Sequence, residues 1–237
     1  MKQQIHAVLF DLDGTLVDSI ADIASAANRA LSRLGVEPVE EECVRSMVGW
    51  GLPELARLVV SHLSEHREGI RISSEELTRL LIEEYDRVPF EHTFAYSGVP
   101  ELLDTLRWAG IRCAICTNKR EQVAEAVVQA LFENGTFAVV VGQRSERPVK
   151  PDFAAVEACF DALGVDATES VFVGDSDVDI ETAHNAGMPA IGAAWGFRDR
   201  EHLLSAGADA IFDKPLDVRD YFTREVIRRT DVPDSYR

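Results

Sequence analysis

The feature that most constrains the fold of this chain is a regular alternation of strand-like and helical segments from Gly98 onward. Short apolar runs predict the strands, which are 111–116, 137–141, 170–173, 189–193 and 210–212. Apolar residues at helical spacing predict the helices, which are 100–109, 120–131, 151–163, 178–186 and 200–206. This alternation is typical of an α/β fold, with a doubly wound parallel sheet that helices cover on both faces. Such sheets bind ligands beyond the carboxyl ends of their strands.

One more strand and a long helical block precede this alternation. The apolar run 6–10 predicts the strand, and helices are predicted over 18–34, 41–47, 53–63 and 74–87, with no convincing strand among them. The total of 237 residues is long for one small domain and short for two full-sized ones. We therefore expect a core domain, residues 1–15 and 95–237, with an inserted α-helical cap domain, residues 16–94. The tail after Arg228 is expected to fray.

Polar side chains stand at the carboxyl ends of four predicted strands. The four groups are Asp11 with Asp13, Thr117-Asn118-Lys119, Lys150-Pro151-Asp152, and Asp175-Ser-Asp177-Val-Asp179. Each group alone has a simple explanation as a helix cap, a turn or a solvated surface. Parallel strands, however, place their carboxyl ends at one edge of the sheet, so we expect the four groups to converge. Carboxylates that lie close together repel each other unless a cation or a shared chemical role compensates the repulsion.

The charged residues of the chain are unevenly distributed. The formal net charge is -17, which makes nucleic acid a poor partner and means that an anionic substrate has to be captured by local positive charge or a metal ion. Of 24 basic residues, the lysines are Lys2, Lys119, Lys150 and Lys214. A lysine beside a motif therefore carries more weight in this chain than in most.

The four polar groups, in this order, resemble the four motifs of the haloacid dehalogenase superfamily. The matching segments are Asp11-Leu-Asp13-Gly-Thr-Leu-Val-Asp-Ser, Thr117-Asn-Lys, Lys150-Pro-Asp and Gly174-Asp175-x-x-x-Asp179. The helical insertion fits the cap of that family, which implies a Rossmann-like catalytic core. Gly98-Val-Pro, Ala186-Gly-Met and Trp195-Gly-Phe resemble the phosphoglycolate phosphatase-like branch. The chain departs from this branch at Ser97 and Phe153, where proline is common, and neither position touches the chemistry.

The resemblance implies a Mg²⁺-dependent phosphatase that hydrolyses a small organic phosphate monoester, with phosphoglycolate as the first candidate. Asp11 would be the nucleophile that forms an aspartyl-phosphate, and Asp13 the general acid and base. Thr117, Asn118 and Lys150 would bind the phosphoryl group, Thr117 and Lys150 also being catalytic. Lys150 would in addition keep Asp11 ionised. The implied metal ligands are Asp11, Asp13 through its carbonyl, Asp175 and Asp179. Asp177 is interpreted as an exposed residue.

Several related functions remain open. A β-phosphoglucomutase-like sugar-phosphate mutase shares the chemistry of Asp11 and Asp13, and so do other phosphatases of the superfamily, such as nucleotidases and pyrophosphatases. A dehalogenase is disfavoured because it needs neither the metal site nor an acid at Asp13. A phosphonate hydrolase of the superfamily needs a cap lysine for its Schiff base, and the cap segment has none. The cap and the acid at Asp13 also disfavour a phospho-signalling receiver or a pseudo-enzyme.

Three other motifs have simpler interpretations. The loop from Asp175 begins like a calcium-binding EF-hand but has Ile180 and Ala186 where glycine and glutamate are needed. His62-x-x-Glu65-His66 spells a zinc-peptidase pattern, which we interpret as a charged helix end. Cys113 and Cys116 lie three residues apart on a strand, so they are expected to point to opposite faces as core thiols. Arg45 and the turn 49–51 are candidates to line the cap above an anionic substrate.

The remaining expectations concern the cellular setting. The chain opens with no signal-peptide pattern and has no apolar run near the length of a membrane span. Its cysteines do not resemble a disulfide framework. We therefore expect a cytoplasmic protein with a small-molecule phosphate monoester as its partner, with no nucleic-acid or membrane partner, and either monomeric or homodimeric.

Overall fold

A six-stranded parallel sheet forms the centre of the computed structural model, which describes residues 5–88 and 90–230, with side chains as far as residue 224. Its strands are β1 (Ala7–Phe10), β4 (Arg112–Arg120), β5 (Val140–Gln143), β6 (Ser170–Gly174), β7 (Ala190–Ala193) and β8 (Ala210–Phe212). They are arranged in the order β5-β4-β1-β6-β7-β8, with every neighbouring pair parallel. The α/β fold predicted from the alternation is therefore confirmed, and the chain reverses its winding direction at the central strand β1.

Helices cover both faces of this sheet and create two hydrophobic cores. The helices are α5 (Val99–Trp108), α6 (Glu121–Leu131), α7 (Ala154–Leu163), α8 (Asp177–Asn185), α9 (Arg200–Ser205) and α10 (Pro215–Thr230). Alternate residues of β1 face opposite cores, since Val8 belongs to one and Leu9 to the other. Cys113 and Cys116 are likewise buried free thiols in separate cores, which confirms that this pair straddles the sheet.

The helical block lies between two short strands that the sequence did not predict. Its helices are α1 (Ile20–Arg33), α2 (Glu41–Met47), α3 (Leu52–His66) and α4 (Ser74–Arg87). The strands β2 (Val17–Asp18) and β3 (Phe94–Ala95) pair antiparallel at its two ends. Asp22 joins these ends further, because its carboxylate accepts hydrogen bonds from the backbone N–H groups of Glu91 and His92. The boundaries 16–94 for the cap remain a prediction.

Several elements differ from their expected bounds. The strand expected over 137–141 lies at Val140–Gln143, and the two residues before it already exchange hydrogen bonds with β4, from Ala138 N to Cys113 O and from Ile115 N to Val139 O. The helix expected from residue 151 begins at Ala154, because the residues before it form a turn closed by the bond from Asp152 N to Val149 O. The helix α10 was not predicted.

Over the part of the chain that the structure describes, no helix is long and apolar enough to span a membrane.

Candidate active site

The carboxyl edge of the sheet brings the predicted site residues together. Asp11 directly follows β1, and Asp175 directly follows the neighbouring strand β6. Thr117 and Asn118 lie on the last part of β4, where the pairing register with β5 shifts between Cys116 and Arg120. This irregular end of β4 directs three consecutive buried polar residues toward the site, whereas the strand expected from the sequence ended just before them, at Cys116.

Three buried carboxylates and one buried ammonium group form the base of the site. Asp11, Asp175 and Asp179 each offer an oxygen within 4.8 Å of the others. The Nζ of Lys150 lies 2.9 Å from Asp11 Oδ1 and 2.6 Å from Asp179 Oδ1, with its side chain only 1% exposed. Three carboxylates against one ammonium leave this cluster strongly negative when all four groups are ionised.

Burial and the neighbouring charges shift the pKa values of the residues in this cluster. Burial raises the pKa of Asp11 to about 6, against the lowering effect of Lys150, and the charge of Asp179 adds to the rise. Burial also raises the pKa of Asp175 well above its ordinary value, and Asp179 and Asp11 add to it. Burial alone would lower the pKa of Lys150, but the charges of Asp11 and Asp179 more than offset it. The cluster therefore has room for one more positive charge.

The oxygen atoms of the cluster suit a hard divalent cation. Asp11 Oδ1 is ion-paired with Lys150 at 2.9 Å, but the hydrogen bond of Lys150 is directed to Asp179. Among the residues described, Asp11 Oδ1 is therefore the one buried side-chain polar atom that accepts no hydrogen bond. Asp175 is oriented by Thr15 Oγ1 at 2.9 Å and by the N–H of Phe197 at 2.9 Å. A buried oxygen that accepts no hydrogen bond, beside oriented carboxylates, fits a hard divalent cation, which prefers oxygen ligands.

Glycines allow the backbone to approach these carboxylates closely. Gly14 has a φ of +84°, and a Cβ added there would lie 2.2 Å from Asp175 Oδ2. A Cβ added at Gly196 would lie 2.2 Å from the carbonyl oxygen of Gly14. Side chains at these two positions would displace Asp175 or the loop after β1, so the site depends on both glycines.

Asp13 lies beside the cluster and has partners of its own. Its Oδ1 accepts hydrogen bonds from Ser19 Oγ at 2.6 Å and from Lys119 Nζ at 2.8 Å. Lys119 also donates to the hydroxyl of Tyr85, which comes from helix α4. The carboxylate of Asp13 is thus engaged away from Asp11, Asp175 and Asp179, and a metal contact from this residue would come from its carbonyl oxygen.

Lys119 is the site residue to which sequence reasoning assigned no role. Its side chain is 2% exposed and lies on the wall of the cavity between the sheet edge and the helical block. The scarcity of lysine was the signal that could have identified it, because Lys119 and Lys150 are the two lysines adjacent to the motifs.

Thr117 and Asn118 differ in their availability. Thr117 is buried, and its Oγ1 accepts a bond of 3.2 Å from the N–H of Lys119, so its own hydroxyl proton can point toward the site. The amide of Asn118 donates to the carbonyls of Gly49 and Lys150 and accepts from the N–H of Lys150 at 2.7 Å. Asn118 therefore positions Lys150, and a phosphate contact from it would use its backbone N–H.

Cap residues close the cavity opposite the carboxylates. Ile23, Leu52, Leu55 and Tyr85 line it from the helices, together with Gly49 and Gly51. Arg45 forms ion pairs with Glu41 and Glu42, and its guanidinium group lies 5.6 Å from the ring centroid of Phe197, a residue of the cavity wall. The half-exposed side chain of Asp177 points toward His202 at 3.5 Å, outside the carboxylate cluster.

One loop of the core joins the cap directly. Arg198 donates hydrogen bonds to the carbonyls of Arg45, Ser46 and Val48, at 2.8, 3.0 and 2.7 Å. These carbonyls end helix α2 and have no partner within their helix. The guanidinium group therefore connects the end of α2 to the loop that contains Phe197 and Arg198. The N–H of Phe197, in the same loop, orients Asp175.

Known proteins are similar to this chain in sequence and in fold. Residues 8–193 match the family model of haloacid dehalogenase-like hydrolases. The phosphoglycolate phosphatase of Rhodospirillum rubrum is 35% identical over 91% of this chain and 90% of its own length. That of Chromobacterium violaceum is 34% identical over 92% of this chain and 96% of its own length. A crystal structure of a predicted phosphoglycolate phosphatase from Haemophilus somnus superposes with a TM-score of 0.84 at 27% identity, covering 94% of this chain and all of that one.

Proposed function

Because the chain belongs to the haloacid dehalogenase-like hydrolase family, we propose that it is a Mg²⁺-dependent phosphatase that hydrolyses phosphoglycolate through an aspartyl-phosphate. The observation that carries the proposal is the buried cluster of Asp11, Asp175 and Asp179 around Lys150, with Asp13 beside it. Relatives named phosphoglycolate phosphatase, matched over nine-tenths of this chain, support the choice of substrate.

Asp11 and Asp13 have different roles in the proposed reaction. A carboxylate oxygen of Asp11 forms a bond to phosphorus as the ester P–O bond breaks, and Asp13 gives a proton to the departing alkoxide. A water molecule then attacks the aspartyl-phosphate, Asp13 takes a proton from that water, and the Asp11 carboxylate is released with inorganic phosphate. Each turnover therefore consumes one water and returns both aspartates to their starting state.

The other residues balance the charge of the phosphoryl group. Lys150 lies within 3 Å of Asp11 and holds it beside Asp179, so its ammonium group is placed to neutralise an oxygen of the transferring phosphoryl. Thr117 offers a hydroxyl donor from the end of β4. Asp11, Asp175 and the carbonyl of Asp13 would hold Mg²⁺, with Asp179 as a neighbouring ligand, and the ion would supply positive charge to the phosphoryl oxygens.

We also propose that the protein acts in the cytoplasm. All four cysteines are free thiols, as expected in a reducing environment. The proposed partner is a small phosphate monoester, without nucleic acid or membrane, and the chain is proposed to act as a monomer or a homodimer.

Phosphate release tests the proposed activity. The purified protein with Mg²⁺ is expected to hydrolyse p-nitrophenyl phosphate and to show its highest kcat/KM for phosphoglycolate in a panel of monoesters. EDTA is expected to lower the rate at least 100-fold, because the charge of the transition state loses its largest counter-charge. Full activity in EDTA would remove the metal from the proposal. A requirement for a sugar bisphosphate primer would instead identify a mutase, and preference for a nucleotide or pyrophosphate would identify another phosphatase.

Because the pKa values of two carboxyl groups in the cluster are raised, metal binding is expected to depend on pH. The pKa of Asp11 is about 6 in the folded protein against an ordinary value of 3.8, and that of Asp175 is also raised. Folding therefore favours their protonated forms, and the metal-free protein loses stability as the pH rises through about 6. A cation binds the ionised forms. At a hundredfold excess over its Kd, Mg²⁺ is expected to raise the Tm by about 5–10 °C at pH 7.5 and by much less at pH 5.

Differential scanning calorimetry with and without Mg²⁺ at the two pH values measures this effect. The variant Asp175→Asn, which removes one proposed ligand, is the control and is expected to lose the shift at pH 7.5. Equal shifts at pH 5 and 7.5 would show that the ion binds away from these carboxylates.

A further inference from the structure

The two buried lysines of the site contact different aspartates. Lys150 contacts the nucleophile Asp11, whereas Lys119 contacts Asp13, the proposed acid. Because Asp13 delivers its proton to the ester oxygen, the groups around Asp13 face the alcohol part of the substrate and not its phosphate. Lys119 is therefore placed on the side of the leaving group.

The proposed transfer of the phosphoryl group does not require Lys119. Lys150 already supplies an ammonium group beside Asp11, and the neighbouring Arg120 is committed to an ion pair with Asp86. Lys119 remains a buried cation, 2% exposed, whose partners are Asp13 and the hydroxyl of Tyr85. Its ammonium group is thus held against Asp13 on the wall of the cavity.

A second anion on the alcohol would fit the contacts of this lysine. The Nζ of Lys119 lies 2.8 Å from Asp13 Oδ1 and 3.1 Å from Oδ2. An incoming carboxylate that replaces Oδ2 keeps the ammonium paired and releases that oxygen of Asp13 for the ester oxygen. In phosphoglycolate the carboxylate carbon is two covalent bonds from the ester oxygen, which matches an ammonium group directly beside the acid.

We propose that Lys119 determines substrate specificity by binding a second anionic group on the alcohol part of the phosphate monoester, with Tyr85 of the cap holding the lysine in place. This inference rests on the proposed phosphatase function and assigns its substrate class, namely monoesters whose alcohol carries a carboxylate or a similar anion. The other cap side chains on the cavity wall, such as Ile23 and Leu55, are apolar and offer such an anion no partner.

The test compares two substrates of nearly equal size. Phosphoglycolate carries a carboxylate where 2-hydroxyethyl phosphate carries a neutral CH₂OH group. We expect the ratio of their kcat/KM values to fall by about 10- to 100-fold in Lys119→Met, as expected for one lost charge-assisted hydrogen bond. This ratio does not depend on the concentration of active enzyme, so partial loss of folded protein does not affect it.

Three further variants make the result specific. Lys119→Arg keeps the charge and is expected to retain most of the preference for phosphoglycolate. Tyr85→Phe removes only the hydroxyl that holds the lysine and is expected to lower the ratio about 3- to 10-fold, which tests the proposal even if Lys119→Met does not fold. Arg120→Met removes the neighbouring cation, which lies at the partly exposed edge of the cavity and is expected to change the ratio less than about 3-fold.

The outcomes separate this inference from the proposed function. An unchanged ratio in Lys119→Met, an equally large fall in Arg120→Met, or a wild-type protein without preference for the charged substrate would each overturn the role of Lys119. In all three cases phosphate would still be released, so the proposed phosphatase chemistry would stand, although a wild-type protein without this preference would also remove phosphoglycolate as its preferred substrate. A wild-type protein that hydrolyses no monoester would refute the proposed function itself.

Discussion

Replacing Asp11 with asparagine is expected to lower kcat by at least about 10⁴-fold, as is typical when a catalytic nucleophile is removed. The amide has nearly the same shape as the carboxylate but has no charged oxygen to attack phosphorus. Because the substitution also removes one negative charge from a cluster of three buried carboxylates, we expect the variant to fold and to keep or raise the Tm of the metal-free protein. Steady-state hydrolysis of p-nitrophenyl phosphate and calorimetry measure the two effects.

Asp177→Asn is the matched control for this variant. Asp177 lies between Asp175 and Asp179 in the chain, but its side chain is 43% exposed and lies near His202. The same chemical change at this position is expected to alter kcat less than about threefold, since surface substitutions act weakly. Turnover retained in Asp11→Asn would be incompatible with an aspartyl-phosphate at this residue.

Replacing Lys150 with methionine is expected to damage both the fold and the activity. The variant leaves Asp11 and Asp179 buried without their ammonium partner, which typically costs about 3–5 kcal/mol of unfolding free energy. The kcat/KM is expected to fall by about 10³-fold, because the phosphoryl group also loses a fixed positive charge. Urea unfolding at pH 7.5 and at pH 5 checks the cause. We expect a smaller loss at pH 5, where protonation of Asp11, whose pKa is about 6, relieves the repulsion.

Lys214→Met provides the control for this second prediction. Lys214 is an exposed lysine outside the site, and its substitution is expected to change stability by less than about 0.5 kcal/mol. If Lys150→Met were as stable as the wild type at both pH values, the carboxylates would not depend on this lysine, and the charge balance inferred for the cluster would be wrong.

The core of the fold could be predicted from the sequence because its elements have strong local patterns. The strand at 210–212 and the helices at 41–47 and 74–87 have the expected bounds. Helix α10 was missed because most of its residues are polar, and it is held by tertiary contacts. Its Leu216 packs so closely against Gly98 that a Cβ there would lie 2.9 Å from Leu216 Cγ. The two-residue strands β2 and β3 were missed because such short elements show no periodicity.

The position of the candidate site was predictable for a similar reason, since polar residues after consecutive strands of a parallel sheet meet at one edge. The partners of those residues were not. Tyr85 and Lys119 lie 34 positions apart in the chain, and nothing local to either residue indicates that a cap hydroxyl meets a core ammonium group. Asn118 likewise had an expected role in binding phosphate, whereas the bonds of its side-chain amide to the backbone of Gly49 and Lys150 depend on how the loops pack.

The adjacency of Phe197 and Arg198 has a mechanical consequence. The N–H of Phe197 orients the carboxylate of Asp175, and the guanidinium group of Arg198 spans the last carbonyls of helix α2. A displacement of the end of α2 would therefore act on the same loop that orients a proposed metal ligand. The position of this cap helix and the orientation of the Asp175 carboxylate are coupled through two adjacent residues.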